Sequence, residues 1–101
     1  MKSRLAIPLA AAITAFAAVA AAYDYTLVVE VTEHANLRKA ASTSAEVASE
    51  LPAGGRLAAD PVEVEAPKDP KCTKWYAAEY QMGGGITVHG FVCTRVTRII
   101  R

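Results

Sequence analysis

Residues 74–92 read KWYAAEYQMGGGITVHGFV, and a cysteine stands just outside each end, Cys72 and Cys93. Trp75, Tyr76 and Tyr80 on one side of the glycines are strong β-formers. So are Ile86, Thr87, Val88, Phe91 and Val92 on the other. The run Gly83-Gly84-Gly85 permits the positive φ of a tight reversal. The stretch therefore predicts a β-hairpin. Folding back about Met82 and Gly83 sets Trp75 near Gly90, Tyr76 near His89 and Cys72 near Cys93. Neighbouring strands supply the Cα separation of about 5.5 Å that a disulfide requires. The two cysteines of the chain are thus expected to pair with each other.

The N-terminus points to the compartment where such a bridge persists. Lys2 and Arg4 precede an alanine-rich apolar run from Leu5 to Ala22, which ends in Val19-Ala20-Ala21-Ala22. That order of charge, apolar run and small residues predicts a secretory signal over residues 1–22, cut after Ala22. The competing reading is an uncleaved anchor, but a span takes about 20 strongly apolar residues, and this run is mostly alanine with Pro8 inside it. No stable membrane anchor is expected after cleavage. Secretion or export to the periplasm accords with a bridged cysteine pair.

Residues 23–101 remain as one small domain. Its core is limited, so a covalent staple has a physical purpose. Without Lys2 and Arg4 it carries nine basic and ten acidic residues, a formal charge of −1. A near-neutral chain is not built to neutralise nucleic acid or anionic lipid, and no nucleic-acid partner is expected.

Along this domain, residues 25–31 (YTLVVEV) alternate as a half-buried strand. Asn36-Leu37-Arg38 is a short extended piece, and 39–45 (KAASTSA) a small polar loop. Residues 46–51 direct Val47 and Leu51 to the core, and Pro52-Ala53-Gly54-Gly55 makes a turn. Residues 56–65 form a strand that Pro61 interrupts, so it lies at an edge or bulges there. A proline-bearing loop, APKDPK, precedes the hairpin, and RVTRII closes the chain. Five to six short strands in under 80 residues predict an all-β fold, as a small, strongly bent barrel.

The order of these pieces resembles the bacterial SH3-like (SH3b) domains. The likeness is carried by Asn36-Leu37-Arg38, the loop 41–44, Val47 with Leu51 and Gly54, Trp75-Tyr76, and Gly90-Phe91-Val92, with Val96 as the closing apolar residue. It spans about residues 28–99. Ala40-Ala41 stands where the family has Gly-Pro, and the segment from Asp60 to Thr73 is longer than usual and holds Cys72. The resemblance implies an SH3-like barrel. It also implies a non-catalytic binding module of the cell envelope whose partner is peptidoglycan or an envelope protein or peptide.

Candidate ligand contacts are Arg38, Ser42, Thr43, Tyr76 and Tyr80. Arg38 has the fork to hold a carboxylate, or it pins a turn through backbone carbonyls. Ser42 and Thr43 line a binding loop or lie in a solvated one. Trp75 and Phe91 read as core, and Tyr76 and Tyr80 as the aromatics of a groove for extended peptides. His34 and His89 lack partners at metal spacing, no nucleophile-and-base arrangement is visible, and the glycine run has no phosphate-loop context. Neither catalysis nor a cofactor is expected. The alternative is a small secreted inhibitor or accessory subunit that presents the glycine turn and the 60–73 loop to one protein partner.

Overall fold

A computed structural model describes residues 23–101; the expected signal over 1–22 lies outside the described residues. Eight antiparallel strands run in chain order: β1 Leu27–Val31, β2 Ala35–Arg38, β3 Val47–Leu51, β4 Arg56–Ala59, β5 Val64–Glu65, β6 Lys74–Gly83, β7 Ile86–Cys93 and β8 Thr97–Ile99. A 3-10 turn at Thr94–Val96 joins the last two. The all-β expectation holds, with more strands than the five to six expected. Two of the eight are only two and three residues long, β5 and β8.

The sheet order is β3-β2-β7-β6-β4-β1-β8, with β5 paired to β6. This path is open: β3 and β8 end it without pairing to each other, so the ladder does not close into the expected barrel. The sheet nevertheless curls about one cluster that joins Val29, Val31, Leu37, Leu51, Tyr76 and Val92, drawn from β1, β2, β3, β6 and β7. Residues near both ends of the path thus meet in a single core.

The hairpin forms, but in a different register. Trp75 faces Cys93, Tyr76 faces Val92, Ala78 faces Gly90 and Gln81 faces Thr87. The reversal occurs at Gly84-Gly85, with φ of 62° and 79°, two residues beyond the predicted Met82-Gly83, and Trp75 faces Cys93 three residues beyond the predicted Gly90. The later turn alone would move the pairing by four positions, and a bulge takes one back: Gln81 pairs with Thr87 but Gly83 with Ile86, which leaves Met82 unpaired, with Gly83 at φ 92°. An odd shift exchanges which residues share a face. It puts Tyr76, Ala78 and Val92 on the core side and Trp75, Phe91 and Cys93 on the other.

That other face has its own small buried cluster. Trp75 is 1% exposed, donates its indole N–H to the Cys72 carbonyl at 3.0 Å, and lies beside the Cys72–Cys93 disulfide. The expected bridge is present, although the register that suggested it is not. Cys72 precedes β6 and reaches Cys93 from beyond the strand end, where Trp75 occupies the position opposite.

Val47 departs from expectation, and Val62 is exposed as well. Val47 is 40% exposed, because Leu37 pairs with Ser49 and Arg38 with Val47, so that Ala48 bulges and turns Val47 outward. Val62 is 73% exposed, since Pro61 ends the strand and Asp60 accepts the Val62 N–H at 2.8 Å in an Asx turn. Asp60 also accepts the Asp24 N–H at 3.0 Å. These backbone donors, Asp24 first, hold its carboxyl below the usual range. They fix residues 23–25 across the outer face of β7, where Tyr23 meets Phe91 edge-on at 5.8 Å and Tyr25 packs on His89 at 5.6 Å.

Candidate functional site

The two polar loops foreseen as separate features face each other. Residues 41–44 form one wall and residues 66–70 the other wall of an open groove of about 530 Å3. The first loop follows β2 and is too rich in Ser, Thr and Ala to continue a strand. Ser42 and Ser44 hydroxyls hydrogen-bond each other at 2.8 Å, and the Ser44 N–H donates to Ser42 Oγ. The second loop carries Pro67 and Pro70, which remove backbone donors.

Asp69 joins the walls. Its carboxylate accepts the Thr43 N–H at 2.7 Å and the Thr43 hydroxyl at 2.8 Å from across the groove. From its own loop it accepts the Lys71 N–H at 2.9 Å and the Cys72 N–H at 3.1 Å. Four donors on one carboxylate, led by the Thr43 N–H, hold its pKa far below the ordinary aspartate value. Cys72 in turn is bonded to Cys93 at the end of β7. One chain of contacts therefore runs from loop 41–44 through Asp69 and the disulfide into the sheet.

Arg38 lies at the root of the first loop, where its guanidinium donates to the Ala45 carbonyl at 2.8 Å. This is the turn-pinning arrangement among the two that the sequence left open. Arg38 also lines a smaller cavity of about 150 Å3 together with Asn36, Trp75 and Thr43. Thr43 borders both spaces, so Arg38, Ser42 and Thr43 come together around adjoining concavities. Tyr76 and Tyr80 do not join them. Tyr76 is 7% exposed on the core face, and burial raises its hydroxyl pKa. Tyr80 is half-buried against the same core. The hairpin aromatics that read as a ligand platform mainly fill the interior.

Asp69 is not among the residues singled out from the linear pattern. Its signal was present as an aspartate inside a proline-flanked loop, a residue type that bonds backbone N–H groups two and three positions onward. What the sequence lacks is the cross-loop partner, Thr43, which is 26 positions away. The comparisons add no relative. Among protein families, curated proteins and solved structures, no match was found.

The remaining titratable groups are dispersed. His34 pairs with Glu50 and His89 with Glu79, each at 3.1 Å and each on the surface. Glu30 sits between Arg98, at 2.6 Å, and Arg56, at 3.7 Å, and the hydrogen bond from Arg98 is the main cause of its lowered pKa. Among the described residues no group of three or more His, Cys, Asp or Glu is placed to hold a metal, and no helix is long and apolar enough to cross a membrane.

Proposed function

We propose that this protein is a secreted or periplasmic, non-catalytic binding module of the cell envelope, of SH3-like type, which holds peptidoglycan or an extended peptide in the groove between residues 41–44 and 66–70. The observation that carries the reading is the double anchoring of that groove by Asp69 and the disulfide. A concavity whose walls are fixed before a ligand arrives loses little ordering entropy on binding. Its volume lies in the range of small-ligand and peptide clefts. A disulfide in so small a domain accords with an oxidising compartment, as the N-terminal sequence does. The curled antiparallel sheet with the order of motifs described above supports the SH3-like assignment.

The test is co-sedimentation of the protein, produced from the full sequence, with insoluble peptidoglycan sacculi. Saturable binding by the oxidised protein is expected. Absence of binding by folded, oxidised protein excludes the wall as its target and leaves an extended peptide from an envelope protein.

A second reading, an inhibitor or accessory subunit for one protein partner, has its own observation. Beyond Glu79 and before Phe91, β6 and β7 have only each other as ladder partners among the described residues. The ribbon ends in Met82, 53% exposed, and Ile86, 58% exposed. Under this reading a stoichiometric complex forms with one envelope protein, and Met82→Ser with Ile86→Ser abolishes it while wall binding is absent throughout.

A further inference from the structure

The groove wall carries one cation without a counter-charge, and two more stand nearby, Lys71 along the chain and Arg95 held through the Lys71 carbonyl. Lys68 lies in the groove wall itself. Lys71 follows two residues after Asp69, and the Arg95 guanidinium is fixed beside it by donation to the Lys71 carbonyl at 2.6 Å. Among the described residues none of Lys68, Lys71 and Arg95 has a carboxylate within ion-pairing distance, whereas Lys39, Arg56 and Arg98 all do. Lys74 stands opposite Glu65 in the β5–β6 ladder. The one carboxylate inside the groove, Asp69, is occupied by its four donors.

The interior of the groove narrows the ligand further. The Thr43 N–H and hydroxyl donate to Asp69, and the Ser42 and Ser44 hydroxyls share one hydrogen bond, which leaves a single free hydroxyl proton between them. What remains facing a ligand is mainly the small apolar surface of Ala41, Ala66, Pro67 and Pro70, with no aromatic ring among the lining residues. A neutral sugar needs unspent hydrogen-bonding groups or a ring to stack on. A peptide with small side chains and carboxylates needs apolar walls and a positive rim.

Building on the groove as the ligand site, we infer that it selects an acidic extended peptide, with small side chains against the alanine and proline walls and carboxylates meeting Lys68 and Lys71. Arg95 reinforces the positive rim. The geometry assigns specificity to charge on the rim and permissiveness to the walls.

The experiment uses the protein produced from the full sequence. Fluorescence anisotropy compares two labelled peptides of alternating residues, Ala-Glu repeats and their Ala-Gln counterpart, at low and high salt. The glutamate peptide is expected to bind about tenfold tighter than the glutamine one at low salt, and the difference to shrink at high salt. Lys68→Gln with Lys71→Gln alters exposed side chains only, so the thermal midpoint stays in place while the preference disappears. Equal binding of the two peptides, or an unchanged preference in the double variant, overturns the inference. Binding confined to glycan strands stripped of peptide overturns it as well. Sedimentation with sacculi separates the two levels. If the double variant still sediments like the parent, the acidic-peptide assignment falls and the binding module stands. If the parent binds neither sacculi nor either peptide, the groove itself is not the site and both fall.

Discussion

Gly90 shows how narrowly a single residue can be determined. A Cβ there would lie 2.6 Å from the Arg38 carbonyl oxygen and 2.8 Å from Leu37 Cγ. β2 meets β7 at Arg38 opposite Phe91, and the absence of a side chain at the next position permits this close crossing. Gly90→Ala is expected to destabilise the fold by about 1–3 kcal/mol, as overpacking does, read as a lower urea midpoint at unchanged slope. Asp69 is determined by its donors. Its folded carboxyl has a lower pKa than the unfolded one, so its stabilisation is complete above pH about 4 and is lost as pH falls further, towards the folded value. Stability should therefore decline on the acid side, and Asp69→Asn should be less stable at neutral pH and show a shallower acid decline, measured by thermal melts across that window. The chemistry of both residues was legible as residue types. Their partners were not, since Leu37 and Thr43 reach Gly90 and Asp69 only through the fold.

At the scale of the element, the β6–β7 hairpin was visible because β-forming runs flank a glycine reversal. The register was not, because three consecutive glycines leave the turn position open and one bulged residue, Met82, then moves every pair by one step; the sequence marks neither choice. The exchange of faces sends Tyr76 inward and leaves Trp75 with the disulfide. The Ala48 bulge escaped notice for the same reason and exposed Val47. Gly84 sits at φ 62°, so Gly84→Ala is expected to cost about 1 kcal/mol. The bridge encloses a separation of 21 residues. Replacing both cysteines with alanine should lower stability by about 3 kcal/mol in the chain-entropy account, measured by chemical denaturation. In that variant peptide binding should also weaken, since the link from loop 66–70 through Cys72 to the end of β7 is lost.

For the whole molecule, strand content and the small core followed from alternation and length, whereas the open path of the sheet did not. Which strand neighbours which is fixed by long-range pairing, such as β1 with both β4 and β8, that no local pattern encodes. The groove belongs to the same class of fact: its two walls are far apart in sequence and meet only because β2 and the disulfide deliver them to one place. The division of labour in that groove bears on how such a protein changes over generations. Thr43, Asp69 and Cys72 hold the loops in position, while Ala41, Pro67, Lys68 and Pro70 face outward and take no part in the hydrogen bonds between the walls. Substitutions at the second set can alter what is recognised without disturbing the scaffold, so descendants of this chain can acquire new ligands by drift in a handful of positions, and a laboratory library restricted to them samples binders rather than unfolded variants.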